Sequence, residues 1–165
     1  MRVLLVTGRL AEPIVKTAVR RAEIPPGVEV SIEVLPIDVA AFITTQLLVR
    51  LIGSRARGYD LVVVPGLSRV DTAKASRLLG VRIAKGPKNA ADLDVVLSSV
   101  DVLERLGEEP ADRIIEDVRR SRVSRVLRAV EEEASRCIEL DTVFIPCRPP
   151  PIRVAAEVID ADTMS

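Results

Sequence analysis

Tyr59-Asp-Leu-Val-Val-Val64, closed by Pro65-Gly66, is the stretch that decides the fold of this chain. Its apolar residues follow one another without alternation, which predicts a short strand buried on both faces, as strands of parallel sheets are. Arg2–Thr7 and Val81–Ala84 are apolar runs of the same kind. Together the three runs predict the buried strands of one parallel sheet.

The segments between these strands carry helical signals. Glu12-Pro13 opens the first helix, because proline is tolerated in a first turn. A second helix starts at Ala40 or Thr44, and a third has Asp71 as its N-cap. Val28–Leu35 alternates apolar and polar residues, which predicts a strand near an edge of the sheet. This order of strands and helices predicts a doubly wound α/β fold, a three-layer sandwich of the flavodoxin or Rossmann type.

The chain after Ser98 is harder to assign. Val100–Leu106 fits a fifth short strand or more helix, so the open sheet has four to five strands. A long helix is predicted from Ala111 to about Ile138, with an apolar stripe that packs on the sheet or on a second copy. Val143–Ile145 then suggests another strand.

The domain organisation follows from a proline-rich segment near the C-terminus. Residues 1–145 form the α/β domain, and residues 146–151 form a stiff proline linker. Residues 152–165 contain a trailing strand pattern, Ile152–Ile159, which predicts the start of a truncated C-terminal domain.

The composition limits the classes of function. With 24 basic and 24 acidic residues, the chain lacks the cationic excess of nucleic-acid-binding proteins. No apolar run is long enough to span a membrane, so we expect a cytoplasmic protein without a membrane partner. Arginine greatly outnumbers lysine, and Gln46 and Asn89 are the sole amides, which is a thermophile tendency.

Histidine is absent from the sequence, which removes histidine-based triads and histidine metal sites. The two cysteines, Cys137 and Cys147, are too few for a thiolate zinc site. They are interpreted as small apolar residues of the core, with a disulfide as the alternative. We therefore predict neither a metal nor a cofactor.

The best candidate for a ligand site is the carboxyl edge of the sheet, where open α/β sheets bind ligands. Loops at this edge combine glycines with cations, and such loops suit a phosphate or a carboxylate. The alternative is that these are ordinary turn residues and solubilising charges, or that the edge is an interface between subunits or domains. The candidate ligand-binding residues are Gly8, Arg9, Asp38, Gly66, Arg69, Lys85, Gly86 and Lys88.

No catalytic residue is assigned from the sequence. Asp38 is the only carboxylate among the candidates, and it either acts as an acid or base or caps a helix or pairs with an arginine. The chain has neither the dinucleotide fingerprint nor a P-loop. Ser68 has no histidine partner and no nucleophile-elbow motif.

Five segments together resemble the N-terminal region of archaeal dihydropteroate synthase-like proteins. The resemblance covers most of the chain, in order. The segments are Val6-Thr-Gly-Arg-Leu-Ala-Glu-Pro13, Leu35-Pro-Ile-Asp-Val-Ala-Ala-Phe42, Val64-Pro-Gly-Leu67, Lys85-Gly-Pro-Lys-Asn-Ala-Ala-Asp92 and Pro149-Pro-Pro-Ile-Arg-Val-Ala-Ala-Glu-Val-Ile-Asp160.

The resemblance implies a role in pterin or methanopterin metabolism. In that family an α/β domain precedes a barrel similar to dihydropteroate synthase, so Ile152–Ile159 would be the barrel's first strand. The pterin-binding residues of a synthase lie on later parts of the barrel, and none is carried over to this chain.

Two functions are therefore expected to compete. In the first, the chain is an accessory domain that binds an anionic or pterin-like small molecule and is not catalytic alone. In the second, it is a non-catalytic oligomerisation module, in which the long helix or the trailing strand forms a homo-oligomer.

Overall fold

The computed structural model of the chain describes residues 1–133, 135–140 and 143–148. The chain divides into two compact units, of which the first is Met1–Arg119 and the second begins at Arg120. The helices and strands are β1 (Arg2–Gly8), α1 (Glu12–Arg21), β2 (Glu29–Leu35), α2 (Thr45–Ile52), β3 (Leu61–Val64), α3 (Thr72–Leu79), β4 (Arg82–Lys85), α4 (Leu93–Leu97), α5 (Val100–Arg105), α6 (Asp112–Glu133), β5 (Ser135–Leu140) and β6 (Val143–Arg148).

The first unit contains one parallel sheet with the strand order β2-β1-β3-β4. This sheet confirms the predicted doubly wound α/β fold. The strand with alternating polarity, β2, lies at an edge as expected. Among the described residues, no helix is both long enough and apolar enough to cross a membrane.

Both faces of the central strands are buried, because successive side chains point to opposite faces. Leu5 and Val63 belong to the core that includes α1, α4 and α5. Val6 and Val64 belong to the core that includes α2 and α3. The continuous apolar runs of the sequence therefore supply two cores at once.

Capping residues fix where the middle helices begin. The Asp71 carboxylate accepts a 2.8 Å hydrogen bond from the Lys74 N–H at the start of α3. The Thr44 hydroxyl oxygen accepts one of 3.3 Å from the Leu47 N–H at the start of α2. Of the two predicted starts of this second helix, Thr44 is therefore the correct one. Gly80 ends α3 in the left-handed conformation, with φ of 69°.

The structure corrects the assignment of the C-terminal part. Val100–Arg105 is a helix, α5, which is the second of the two alternatives considered for it, so the parallel sheet has four strands. The long helix ends at Glu133 rather than near Ile138. Residues 135–140 instead pair antiparallel with residues 143–148. Ile138 and the run Val143-Phe-Ile145 are β-branched or aromatic, which favours a strand over a helix.

The predicted division into residues 1–145, 146–151 and 152–165 stays a prediction. The division into compact units falls between Arg119 and Arg120, within α6. The strand β6 continues to Arg148, so the first half of the predicted linker 146–151 belongs to a strand. The predicted trailing strand, Ile152–Ile159, lies outside the described residues.

Candidate functional site

The loops at the carboxyl edge of the sheet are joined by backbone hydrogen bonds. The loop after β1 meets the loop after β2, because the Arg9 N–H donates to the Ile37 carbonyl at 2.8 Å. The loop after β3 meets the loop after β4, because the Gly66 N–H donates to the Pro87 carbonyl at 3.1 Å. The sequence correctly predicted that these four loops lie along one edge.

Glycines allow these loops to touch. A Cβ added at Gly8 would lie 2.9 Å from the carbonyl oxygens of both Ile37 and Asp38. A Cβ added at Gly66 would lie 2.6 Å from the Gly86 carbonyl oxygen and 2.8 Å from the Lys88 nitrogen. We expected the glycines to let a ligand approach the backbone, but the space beside these two is filled by neighbouring loops.

Several N–H groups of these loops already have partners within the protein. The Leu10 N–H donates to the Asp38 carbonyl at 3.2 Å, and the Gly86 N–H donates to the Val64 carbonyl at 2.8 Å. The Lys88 N–H donates to the Asp112 carboxylate at 3.2 Å. These groups hold the loops together and are not free to bind a phosphate, so the predicted anion cradle is not built from them.

A cavity of about 230 Å³ lies beneath the loops, on the face of the sheet covered by α1 and α4. Most of its wall is apolar. Its lining includes Leu5, Val15, Val39, Val63, Leu67 and Leu93.

Two polar side chains also line this cavity. Thr7 is buried, and its hydroxyl donates a long hydrogen bond of 3.4 Å to the Gly8 carbonyl. Lys88 is exposed to solvent, which places a cation at the open side of the wall. The cavity therefore combines an apolar interior, one hydroxyl group and one peripheral positive charge.

The eight predicted site residues separate into distinct groups. Gly86 and Lys88 line the cavity. Arg9 and Asp38 form an exposed ion pair with 3.7 Å between Nη1 and Oδ1, which is the second of the two roles considered for Asp38. The remaining predicted residues, Gly8, Gly66, Arg69 and Lys85, do not line the cavity.

Arg69 and Lys85 do not line the cavity, and their surroundings explain why. The Arg69 guanidinium lies 5.9 Å from the centre of the Phe42 ring. Lys85 follows Ile83 by two positions in β4, so it belongs to the face that carries α2 and α3. The cavity is on the opposite face.

Sequence reasoning missed Thr7 and the segment Val39–Ala41, which also line the cavity. A signal for Thr7 was present in the sequence. It is the one polar residue in the apolar run of β1, and because it follows Leu5 by two positions it lies on the same face of the strand. No comparable signal marks Val39–Ala41, whose role depends on how the loop after β2 folds back.

The described residues contain no group of three or more histidine, cysteine, aspartate or glutamate side chains placed to hold a metal ion. In the part of the chain that the structure describes, two carboxylates contact candidate residues: Asp38 pairs with Arg9, and Asp112 accepts the hydrogen bond from the Lys88 N–H.

Fold and site together define a doubly wound α/β domain with a mostly apolar cavity at the carboxyl edge. A family model matches residues 1–88, which span β1 to the loop after β4. The chain belongs to this family, a family of unknown function (DUF6513). The matched residues include all eight predicted site residues.

One relative is an uncharacterised protein of Methanocaldococcus jannaschii. The two sequences are 30% identical over 142 residues, which cover 81% of this chain and 26% of the relative. The chain thus spans about a quarter of the length of that protein. No solved structure matches the chain significantly.

Proposed function

We propose that the chain is an accessory, ligand-binding domain of a longer protein and is not catalytic alone. The observation that carries this proposal is the cavity of about 230 Å³ beneath the carboxyl-edge loops. Pockets for drug-sized ligands enclose roughly 300–1,000 Å³, so the ligand, or its buried part, is smaller than these. The loops above the cavity are joined to each other by backbone hydrogen bonds. We therefore expect the site to be formed before the ligand arrives.

The accessory role is supported by the extent of the similarity to the relative. The chain spans 26% of that protein, so most of the relative lies outside the matched region. In a longer protein of this kind, the domain would assist a site that the other parts form. The resemblance to archaeal dihydropteroate synthase-like proteins makes pterin or methanopterin metabolism the first area to test. The proposal keeps the cytoplasmic location and the archaeal, thermophilic source predicted from the sequence.

A thermal-shift screen of pterins, phosphates, nucleotides and carboxylates tests the proposal. One compound should raise the melting temperature of the wild type, since a ligand that binds only the folded state stabilises it. Ala40→Leu should abolish that shift, because Ala40 lines the cavity and a leucine there adds three carbon atoms at its wall; Ala40 also packs against the core beside α2 and α3, so the melting temperature without ligand is measured for both proteins. If Ala40→Leu responds like the wild type to every stabilising compound, the cavity is not the site.

A matched control separates the cavity from the general charge of the surface. Arg57 is exposed and precedes β3, so it lies at the amino edge of the sheet. Arg57→Ala should therefore keep the full thermal shift. If no compound stabilises the wild type at any concentration tested, the ligand-binding function is wrong.

A second candidate function is oligomerisation through α6. Val123, Val126 and Leu127 form a stripe at helical spacing and are 57%, 57% and 51% exposed. We propose that a second copy covers this stripe. Sedimentation velocity over a range of concentrations should show self-association, which Val126→Ser with Leu127→Ser should weaken and Arg125→Ser should not. A monomer at all concentrations would contradict this candidate.

A further inference from the structure

Four exposed apolar side chains lie on loops at the carboxyl edge, in or next to the lining of the cavity. Leu10, Phe42 and Leu67 are 70%, 61% and 58% exposed, and Val39 is 41% exposed. Val39 and Leu67 are part of the cavity lining, whereas Leu10 and Phe42 are adjacent in sequence to the lining residues Ala11 and Ala41. We call these four residues the apolar collar. Large apolar side chains at such exposure are costly to hydrate, and here they are grouped in or next to the cavity lining.

The interior of the cavity is unsuited to a charged or highly polar group. Its deep wall comes from buried residues such as Leu5, Val63 and Leu93, which belong to the hydrophobic core. Thr7 supplies the side-chain hydroxyl, and its 3.4 Å bond to the Gly8 carbonyl is long enough to be exchanged for a better partner. A buried ion without a partner would be strongly disfavoured in such surroundings.

Positive charges lie outside this apolar interior. Lys88 lines the cavity with an exposed side chain, while its N–H binds the Asp112 carboxylate. Arg9 is exposed and shares the Asp38 carboxylate, and Arg69 lies over the Phe42 ring of the collar. Of the three, only Lys88 lines the cavity, so an anionic group at the mouth would meet this cation while remaining hydrated.

From this distribution we infer that the ligand is a small organic anion with an apolar body, bound with the body in the cavity and the anionic group at the mouth beside Lys88. The inference rests on the proposed ligand-binding function and specifies its substrate class. A body longer than the cavity continues across the apolar collar. A pterin ring is a poorer match for the interior, because its several ring donors and acceptors would compete for one hydroxyl.

Isothermal titration calorimetry with hexanoate, octanoate, adipate, 1-hexanol and pterin tests the inference on the complete chain. Hexanoate should bind, and octanoate should bind more tightly by about fourfold for each added methylene that leaves water. Adipate is the matched control, since its second carboxylate would have to enter the apolar interior. Adipate should therefore bind at least tenfold more weakly than hexanoate, and 1-hexanol should bind more weakly than hexanoate. Hexyl phosphate distinguishes a phosphate head group from a carboxylate.

Variants of the protein test which residues contact the anionic group of the ligand and which contact its apolar body. Lys88→Ala should weaken hexanoate binding about two- to fivefold at low salt and leave 1-hexanol unchanged, because the pairing is exposed. Phe42→Ala with Leu67→Ala should remove most of the advantage of octanoate over hexanoate. Both collar positions are exposed, so these variants should retain the wild-type circular dichroism spectrum.

The outcomes separate the inference from the proposed function. If adipate binds as tightly as hexanoate, or if pterin binds and hexanoate does not, the inferred orientation is wrong while the ligand-binding function stands. If hexanoate binds equally well to Ala40→Leu, its site lies outside the cavity and the inference fails. If none of these compounds and no other member of the ligand screen binds, both the inference and the proposed function fail.

Discussion

Gly66 shows at the residue scale how the candidate site is held. It lies in the loop after β3, against the backbone of Gly86, Pro87 and Lys88 in the loop after β4. Because the neighbouring atoms are backbone rather than the ends of flexible side chains, neither loop can move aside cheaply for a methyl group. The close contact fixes Lys88 and the roof of the cavity together.

Gly66→Ala should therefore destabilise the protein by about 1–3 kcal/mol, as overpacking does in tight sites. Urea unfolding measures this difference in the free energy of unfolding. Gly107→Ala is the matched control, because a Cβ there meets nothing within 4 Å. The control should lie within about 0.5 kcal/mol of the wild type. Equal stability of the two variants would contradict the close contact at Gly66.

The residue scale also shows the limit of sequence reasoning about the site. The sequence could place Thr7 and Lys85 at the same edge of the sheet, because each lies near the end of a parallel strand. The alternation of side chains along a strand places them on opposite faces. The sequence could not show which face leaves a gap beneath the loops, since that depends on how α1, α4 and the Val39–Ala41 segment pack. Of the candidate residues chosen by charge, only Lys88 lines the cavity, whereas the apolar lining went unnoticed because it resembles ordinary core.

At the scale of elements, the start of α3 was predictable because a single side chain caps it. Asp71 accepts the Lys74 N–H at 2.8 Å. Asp71→Ala should lower the free energy of unfolding by about 1 kcal/mol, because it leaves an N–H of α3 without its partner. Asp71→Ser, which can still accept the bond, should recover most of the loss in the same urea titration. If serine and alanine are equally destabilising, the cap contributes nothing.

The outer edge of β4 is covered by the chain that follows α5. The Arg82 guanidinium donates to the Glu104 carbonyl at 2.7 Å and to the Leu106 carbonyl at 2.5 Å. The Lys85 N–H donates to the Gly107 carbonyl at 2.8 Å. These bonds close an edge that would otherwise offer unpaired backbone groups to another chain.

Arg82→Met should destabilise the protein by about 1.5–3 kcal/mol, because two charge-assisted hydrogen bonds are lost. Hydrogen exchange gives a sharper test, since the Lys85 amide should exchange faster once the segment ending at Gly107 loosens. Arg77→Met is the control, because Arg77 is exposed on α3. Unchanged protection of the Lys85 amide would show that Arg82 does not hold this segment.

The strand predicted at Val143–Ile145 is confirmed by β6, whereas Ser135–Leu140 was predicted as helix because short apolar runs fit more than one period. Cys137 and Ile138 extend the helical stripe of α6 as well as they fit a strand. Pairing with Val143–Arg148 decides the outcome, and such pairing is not visible in either segment alone. The parallel strands, by contrast, were predictable: β1, β3 and β4 follow from runs that are apolar on both parities, and β2 follows from its alternation of apolar and polar residues.

At the scale of the whole molecule, the two hydrophobic cores lie entirely in Met1–Arg119. A chain of residues 1–119 should therefore fold, with a cooperative thermal transition by circular dichroism. A chain of residues 1–97 is the control, because it lacks Val102, Leu103 and Ile115 from the core beside α1. It should not unfold cooperatively. A structureless 1–119 fragment would contradict the division at Arg119.

The strand order has a consequence during synthesis on the ribosome. The central strand β1 pairs with β2 and with β3, and Arg2 binds Asp60 across a separation of 58 positions in the chain. At roughly 5–20 residues per second, β3 emerges about 3–12 seconds after β1. During that interval β1 can pair on one side alone, and its other side stays open to chaperones or to nascent neighbours. Codon usage between β2 and β3 would set the length of this interval.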